Sequence, residues 1–313
     1  MKISIAICTW NRARLLDQTL ESISHLNIPK GLDWELVLVD NNSTENAVPL
    51  VISGWRSQLP LVTAIEKEQG HSAARNRAVE LASGDYIVWT DNDVLVSRDW
   101  LAAYADAFRK NPDTDYFGGK IQPVFEGYEP DWISDTWDIC APVYATRDLG
   151  EEPIELGPDR LPYGANFAVK TKVQRKNLYD TKWGRKTSQM VGEDEVSVLR
   201  SIIEQGGKGR WVPDAKLNHF IPEDRATEEY VASYYFGQGI TNAMIGKVDR
   251  GRLSIWLDQW KSWLGYRLHR RFSKPIVWVS KMVHSSICRG ELSGLKSLSD
   301  TSVRDLNDAQ PKR

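Results

Sequence analysis

The first half of the chain alternates short apolar runs with segments in which apolar residues recur at helical spacing. Each apolar run has the length of a buried strand, and the helical segments follow at intervals typical of strand–helix units. This alternation predicts an α/β fold with a mostly parallel central sheet and helices on both faces. The predicted elements are strands at 3–8, 34–39, 61–65 and 86–90, and helices around 15–23, 72–82 and 99–109.

The pattern weakens after residue 121 and returns later. Residues 122–162 are rich in Pro and Trp and are predicted to be irregular. Beyond residue 246 a separate helical pattern begins, so we expect three regions, 1–121, 122–246 and a C-terminal helical extension at 247–313. The later predicted elements are strands at 166–169 and 210–212 and helices at 193–204 and 227–245.

Composition indicates an ordinary globular protein of 313 residues, with 41% hydrophobic and 26% charged residues. Its three cysteines, Cys8, Cys140 and Cys288, are far apart, which argues against a disulfide framework and against a thiolate metal site. The first apolar run does not lead to a cleavage site, and no apolar stretch approaches the roughly 20 residues that span a bilayer. We therefore expect a cytoplasmic protein that is neither exported nor transmembrane.

Charge is distributed unevenly along a chain whose formal net charge is only -2. Between Lys247 and Lys296 there are eleven Lys or Arg residues and three acidic residues. Apolar residues including Trp256, Trp260 and Trp263 form a helical stripe in the same segment. Two interpretations stay open for residues 253–289: peripheral contact with an anionic membrane at its cytoplasmic face, or packing on the body or on a second copy in a homo-oligomer. Nucleic acid is not an expected partner, because no known reader motif is present.

Polar clusters follow three predicted strands, at Thr9–Arg12, Asp40–Ser43 and Asp91–Asp93. The carboxyl ends of parallel strands meet at one edge of a sheet, where ligands bind. The Asp-x-Asp pair suits Mg²⁺ or Mn²⁺ and also suits a solvated turn. The cluster at Asp40 can cap the following helix or accept hydrogen bonds from a nucleoside.

Three further positions have both a chemical and a structural interpretation. Arg75 opens a helix and can bind a ligand, or can pair with Asp40 or Asp91. The acidic run at 193–195 can cap a helix or supply a general base. His219, in an apolar setting, can be a core residue or a metal ligand.

Several chemistries lack their motifs in this sequence. The first strand is not followed by Gly-x-Gly-x-x-Gly, and no phosphate-binding Gly-x-x-x-x-Gly-Lys-Ser/Thr occurs. Neither a nucleophile elbow nor a His-Glu-x-x-His zinc motif is present. Dinucleotide redox enzymes, P-loop enzymes and hydrolases of these types are therefore not expected.

Taken in order, six motifs resemble those of the glycosyltransferase family 2 enzymes, which have the GT-A nucleotide-sugar fold. The resemblance covers residues 2–245. The chain lacks the Pro that the family often has in its first loop, which leaves the identity of the nucleotide open. The motifs are Ile7–Arg12 with Leu15, Val39–Ser43, Gly70 with Ala74-Arg75-Asn76, Asp91–Asp93, Tyr163–Ala168, and Gly192-Glu193-Asp194 with Arg200.

The resemblance implies a role for each matching position. Residues 1–121 become the nucleotide-sugar-binding half and 122–246 the acceptor-binding half. Asp194 is implied as the general base, and Asp93 and His219 as ligands of a divalent Mn²⁺ or Mg²⁺. The implied nucleotide-sugar-binding residues are Thr9, Asn11, Arg12, Asp40, Asn42, Gly70, Arg75, Asp91 and Asn92.

The implied activity is that of an inverting hexosyltransferase. It moves a sugar from a nucleotide-diphospho-sugar, with UDP or dTDP favoured, to a hydroxyl of a polysaccharide or lipid-linked oligosaccharide. A non-catalytic sugar-nucleotide-binding subunit is the alternative, and it could dispense with Asp194. A sugar nucleotidyltransferase is disfavoured because Thr9–Arg14 contains no Gly.

Overall fold

A computed structural model of the chain describes the backbone of residues 1–181 and 194–308, and the side chains of 1–181 and 195–299. The described residues form two compact units. The first contains residues 1–124, 144–181 and 194–221, and the second contains 125–143 and 222–308. The three-part division expected from the sequence stays a prediction.

Nine strands of the described chain form one sheet, in the order β3-β2-β1-β4-β8-β6-β9-β5, with β7 beside β9. Pairing is parallel from β3 to β4 and antiparallel where β8 joins β4 and where β5 joins β9. The strands are β1 (Lys2–Thr9), β2 (Asp33–Asp40), β3 (Leu61–Ile65), β4 (Tyr86–Thr90), β5 (Val94–Val96), β6 (Tyr116–Phe125), β7 (Glu155–Leu156), β8 (Asn166–Lys170) and β9 (Gly209–Ile221).

Helices cover both faces of the sheet, as predicted. Apolar side chains of α1, α2 and α4 form the core on one face, and those of α3 and α8 form the core on the other. The helices are α1 (Ala13–Ser24), α2 (Ala47–Trp55), α3 (His71–Leu81), α4 (Trp100–Lys110), α5 (Asp131–Ser134), α6 (Trp137–Cys140), α7 (Thr171–Gln174), α8 (Asp194–Glu204), α9 (Glu228–Met244), α10 (Arg252–His269) and α11 (Pro275–Asp308).

Two strands extend the predicted pattern and bear on the site. The sequence predicts a strand only at 210–212, but β9 continues to Ile221 and so includes His219. Its later residues alternate between buried Ala215 and Leu217 and more exposed Lys216 and Asn218, which is the period of a half-buried strand. β5 is three residues long and pairs Val94 with His219. This pairing brings the end of the Asp91–Asp93 cluster to β9.

The second unit is built on three long helices. α11 packs against α9 so closely that a Cβ on Gly290 would lie 2.0 Å from the carbonyl oxygen of Phe236. A Cβ on Gly239 would lie 2.1 Å from the carbonyl oxygen of Ile287. Glycine is therefore required at this crossing, since any side chain would separate the two backbones. Among the described helices, none has the length and hydrophobicity needed to traverse a bilayer.

Candidate functional site

The carboxyl ends of β1, β2 and β4 meet at one edge of the sheet. Thr9 is paired in register with Asp40, and the backbone N–H of Asn41 donates to the Thr9 carbonyl at 2.8 Å. The side-chain amide of Asn92 donates to the hydroxyl of Thr9 at 2.7 Å. All four side chains are buried. Parallel strand ends and these bonds therefore place the three polar clusters side by side.

The loop after β1 is held by the loop after β2. Asn11 is in the left-handed region with φ 49°, and its side-chain oxygen accepts from the backbone N–H groups of Thr44 and Glu45 at 2.7 and 2.8 Å. Ser43 donates its hydroxyl and its backbone N–H to Asp40 Oδ1, at 2.6 and 3.0 Å. These bonds orient the Asp40 carboxylate. Within the part of the chain that the structure describes, no residue donates a hydrogen bond to its other oxygen, Oδ2.

The start of α3 is tied to the same edge by a residue that the site prediction omitted. The amide nitrogen of Asn41 donates to the carbonyls of Glu66 and Glu68, at 3.1 and 2.7 Å. Its amide oxygen accepts from the backbone N–H of Gly70 at 2.9 Å. Asn42, which the prediction included, follows in the left-handed region with φ 57°. Asn41 therefore fixes the position at which α3 begins.

Arg12, Asp93 and His219 form one cluster. Arg12 Nη1 lies 2.7 Å from Asp93 Oδ2, and His219 Nε2 lies 3.6 Å from Asp93 Oδ1. His219 Nδ1 lies 2.9 Å from the carbonyl oxygen of Tyr144. A carbonyl can only accept, so Nδ1 carries a proton and Nε2 is the nitrogen directed at Asp93. The sequence predicted His219 and Asp93 as partners on a metal, and the structure brings them together.

The pKa of His219 reflects this setting. Burial of the imidazole lowers its pKa, but the negative charges of Asp93 and Asp91 and the hydrogen bonds to Asp93 and Tyr144 outweigh burial. The net result is a pKa raised above its usual value of 6.5. The negative charge that favours a proton on Nε2 is available to a metal cation only when that proton is absent, because both use the same nitrogen lone pair.

The side chains of Asp93 and His219 are of the types that ligate a divalent cation. Carboxylate oxygen and imidazole nitrogen are ordinary ligands of Mn²⁺. The Tyr144 carbonyl accepts from His219 Nδ1, and in metal sites such a hydrogen bond on the non-ligating nitrogen orients the imidazole. Within the described residues, no group of three or more His, Cys, Asp or Glu side chains is arranged to hold a metal. Asp93 and His219 would therefore need phosphate oxygens or water to complete the coordination, as Mg²⁺ sites commonly do.

Arg75 connects α3 to the start of α8. Its guanidinium is buried, lies 3.4 Å from Glu195 Oε2, and stacks on the rings of Trp89 and Tyr179. Gly164 also lies there, because a Cβ on it would come within 2.8 Å of Arg75 Nη2. The sequence offered Asp40 or Asp91 as ion-pair partners for Arg75, and the structure adds Glu195. The pair places the second residue of α8 beside α3.

Asp194, the predicted general base, is the first residue of α8. Its side chain, together with Gly192 and Glu193 of the same motif, lies outside the described residues. The Arg75–Glu195 pair is a described contact near this end of the helix.

Two other residues that organise the site were missed by the sequence analysis. Asn166 accepts hydrogen bonds from Trp100 and Tyr104 and donates to the carbonyls of Lys120 and Ala215. Its position in the Tyr163–Ala168 motif was the available signal. Tyr144 acts on His219 through its backbone carbonyl, which leaves no trace in the sequence.

The sequence pattern described as Glycosyl transferase family 2 matches residues 4–161, half of the chain. The chain belongs to this family. A glucosyl-dolichyl phosphate glucuronosyltransferase from Haloferax volcanii is 26% identical over 251 residues, which cover 78% of this chain and 77% of that protein. The succinoglycan biosynthesis protein ExoM of Rhizobium meliloti is 24% identical over 248 residues, 78% of this chain and 75% of that protein.

Solved structures give the same fold for this family 2 chain. A mannosyltransferase from Pyrobaculum calidifontis in complex with GDP-Man and Mn²⁺ has a TM-score of 0.52 at 18% identity, over 99% of this chain and 76% of that chain. S. aureus TarS in complex with UDP has a TM-score of 0.53 at 14% identity, over 96% of this chain and 92% of that chain. The predicted GT-A fold is confirmed, and the chain is a glycosyltransferase.

Proposed function

We propose that the chain transfers a sugar from a nucleotide-diphospho-sugar to a hydroxyl of a polysaccharide or lipid-linked oligosaccharide, with inversion at the anomeric carbon. The observation that carries the proposal is the joining of Arg12, Asp93 and His219 at the edge formed by Thr9 and Asp40. This edge offers a carboxylate for a nucleoside and a cluster for a diphosphate. Family membership supports the sugar-transfer chemistry.

In the proposed complex, Thr9, Asn11 and Asp40 surround the nucleoside. The oxygen of Asp40 that Ser43 leaves unengaged accepts from the imide N–H of uracil or thymine, so UDP or dTDP is the proposed nucleotide. Gly70, Arg75, Asp91 and Asn92 adjoin the diphospho-sugar in the same proposal. TarS has been solved with UDP and the Pyrobaculum protein with GDP-Man, so guanosine donors belong in the test.

Asp93 and His219 would hold the divalent cation. When bound, that cation supplies positive charge for the diphosphate that leaves. Arg12 already places a guanidinium against Asp93 Oδ2 and can contact a diphosphate oxygen from the same position. The proposed site therefore concentrates positive charge where the leaving group departs.

The proposed base is Asp194. Its carboxylate takes the proton of the acceptor hydroxyl, and the oxygen attacks the anomeric carbon from the face opposite the diphosphate. The bond from that carbon to the diphosphate breaks, and its electron pair stays with the diphosphate. Arg75 fixes the start of α8 through Glu195, so it acts as a positioning residue for the base.

A lipid-linked acceptor is supported by the name of the Haloferax relative, which places its substrate on dolichyl phosphate, and a polysaccharide by the role of ExoM in succinoglycan biosynthesis. We propose that this chain likewise works on a growing glycan at the cytoplasmic face of a membrane.

Asp194→Asn tests the assignment of the base. General-base catalysis contributes about 10²- to 10⁴-fold, so transfer should fall by that factor while titration calorimetry shows unchanged binding of the donor. The matched control is Asp214→Asn, which alters an exposed carboxylate on β9 and should leave transfer unchanged. Near wild-type transfer by Asp194→Asn would show that another group is the base.

A donor screen tests the substrate. Hydrolysis and transfer are measured with uridine, thymidine and guanosine diphospho-sugars, each with Mg²⁺, Mn²⁺ or chelator. Activity with UDP- or dTDP-sugars that requires the metal and is lost in Asp93→Asn supports the proposal. Donor binding without hydrolysis or transfer under any condition supports the alternative of a non-catalytic sugar-nucleotide-binding subunit.

A further inference from the structure

The outer surface of α10 is apolar. Leu253, Leu268 and the following Phe272 are 71%, 63% and 89% exposed, and each of the three tryptophans of the helix is more than 40% exposed. A surface helix of a globular protein ordinarily turns its apolar stripe to the core. The outward apolar set is Leu253, Trp256, Leu257, Trp260, Trp263, Leu264, Leu268, Phe272, Ile276 and Val277.

The inner surface of α10 is polar or small by comparison. The side-chain amide of Gln259 donates to the hydroxyl of Ser285 in α11 at 3.4 Å. That hydroxyl donates to the backbone carbonyl of Gln259 at 3.3 Å. A Cβ on Gly265 would lie 2.7 Å from the side chain of Lys281. The helix has a single buried residue, Ile255. The helix is thus inverted relative to an ordinary amphipathic surface helix, which indicates that its outer face meets an apolar phase.

The exposed tryptophans form one continuous aromatic surface. The ring centroids of Trp256 and Trp260 are 6.1 Å apart, and those of Trp260 and Trp263 are 5.3 Å apart. An indole combines a large apolar body with one N–H donor, which suits the boundary between lipid headgroups and acyl chains.

Uncompensated positive charge surrounds this surface. Arg270 is held by Glu228, and Arg250 by Asp258 and Glu291. The other Lys and Arg residues between positions 252 and 277 are exposed and form no ion pair within the part of the chain that the structure describes. They are Arg252, Lys261, Arg267, Arg271 and Lys274. Between residues 252 and 277 the sequence has one acidic residue, Asp258, which is already paired.

We propose that α10 and the first turn of α11 dock on the surface of an anionic lipid bilayer, with α10 lying in the plane of the headgroups. Its indoles and leucines enter the boundary with the acyl chains, and the five unpaired cations contact lipid phosphates and carboxylates. Two copies of the chain related by a two-fold axis would instead place these like charges against each other. The charge of the patch therefore favours lipid as its occupant.

The membrane surface ends near residue 277, well before the residue 289 expected from the sequence. Trp278, Val279, Met282 and Val283 are buried within the second unit. The sequence left membrane contact and internal packing as alternatives for the whole segment, and the structure assigns packing to this part of α11. The inference adds a surface to the proposed function and does not depend on the reaction.

Flotation of the full chain with vesicles tests the proposal. Phosphatidylcholine vesicles containing phosphatidylserine should carry the protein, whereas phosphatidylcholine alone should carry at least about tenfold less. Added salt should release the protein from the anionic vesicles. Recovery of the wild-type chain in the soluble fraction with both vesicles would overturn the proposal.

Two variants and a matched control separate docking from folding. Trp260→Glu and the double variant Arg271→Gln with Lys274→Gln should each reduce vesicle binding by about tenfold or more, with an unchanged thermal transition. Leu50→Glu alters a residue of α2 that is 73% exposed and should float like the wild type. Equal flotation of Trp260→Glu and wild type would contradict the proposal.

Sedimentation velocity distinguishes the rival occupant. A wild-type chain that is dimeric without lipid, and that becomes monomeric in Trp260→Glu, would assign the face to a second copy and overturn the proposal. Transfer to a soluble acceptor is a separate measurement. If vesicle binding is lost and that activity is kept, docking is separable from the proposed reaction; if transfer is absent while vesicles still bind, the proposed function fails and the docking surface stands.

Discussion

The two compact units differ in which side chains they bury and expose: the first buries charged residues, and the second exposes large apolar ones. In the first unit, Glu35 and Arg75 are buried charged residues, and each is paired with a residue of another element. In the second unit, the tryptophans of α10 lie on the surface although their spacing is that of a helix with one apolar face. The contrast teaches that spacing decides which residues share a face, whereas neighbouring elements decide what covers it.

The largest expected effect is at Trp278, the buried counterpart of the exposed indoles. Its ring lies 5.6 Å from that of Trp132 and 6.2 Å from that of Tyr266. Trp278→Ala leaves a cavity, so we expect the free energy of unfolding to fall by about 4 kcal/mol. Urea denaturation followed by circular dichroism measures the change. A loss below about 1 kcal/mol would show that α11 does not bury this face.

Arg75→Leu tests the buried charges of the first unit. Removing the guanidinium leaves Glu195 without this partner, and we expect a loss of about 3 kcal/mol of stability. Transfer should also fall, because the start of α8 is no longer held beside α3. Arg77→Leu is the matched control, since Arg77 is exposed on α3 and pairs with Glu80 within the same helix. Equal effects of the two substitutions would remove the positioning role of Arg75.

Glu35→Gln gives a smaller effect that depends on pH. Burial raises the pKa of Glu35, but hydrogen bonds from Lys2, Ser4 and Ser83 outweigh burial and lower it to about 2. The folded pKa lies below the unfolded value of 4.5, so the carboxylate stabilises the fold above that pH. At neutral pH we expect the free energy of unfolding of the wild type to exceed that of the variant by about 2 kcal/mol.

Acid titration of stability checks the sign of this effect. The advantage of wild type over Glu35→Gln should decrease as pH falls from 4.5 towards 2, because in this range the unfolded chain takes up a proton at Glu35 while the folded carboxylate stays ionised. Glu80→Gln, at an exposed pair, should change stability by less than about 0.5 kcal/mol throughout. A constant difference between wild type and Glu35→Gln across this range would contradict the assigned pKa.

The smallest expected effect is that of Trp260→Ala. The indole is 47% exposed, so its removal should change the free energy of unfolding by no more than about 0.5 kcal/mol. Measured beside Trp278→Ala under the same denaturant series, it sharpens the contrast between two tryptophans of neighbouring helices. A large destabilisation by Trp260→Ala would mean that the outer face of α10 is covered in solution.

Much of the first unit was predictable because its patterns are local. Each strand from β1 to β4 is a short, mostly apolar run, and the rule that parallel strands end at one edge predicts the meeting of Thr9, Asp40 and Asn92. β5 and β6 were not predicted, because β5 has three residues and β6 contains two glycines and a proline.

Contacts across long sequence separations were harder to predict. Glu195 is 120 residues from Arg75, and the sequence offered nearer acidic residues as partners. The spacing of charges along the chain does not show which carboxylate the fold brings to Arg75. His219 was identified by its setting, but its link to the Tyr144 carbonyl depends on backbone geometry alone.

By itself, the sequence determined the α/β fold, the family and the polar clusters at the strand ends, because short-range periodicity and motif order are written in consecutive residues. Tertiary structure alone decided that Arg75 is paired with Glu195, that Trp278, Val279, Met282 and Val283 of α11 are buried, and that the apolar stripe of α10 faces outward. The physical reason is that burial and pairing depend on which surfaces meet in space. Two helices with equally apolar stripes can therefore have opposite environments.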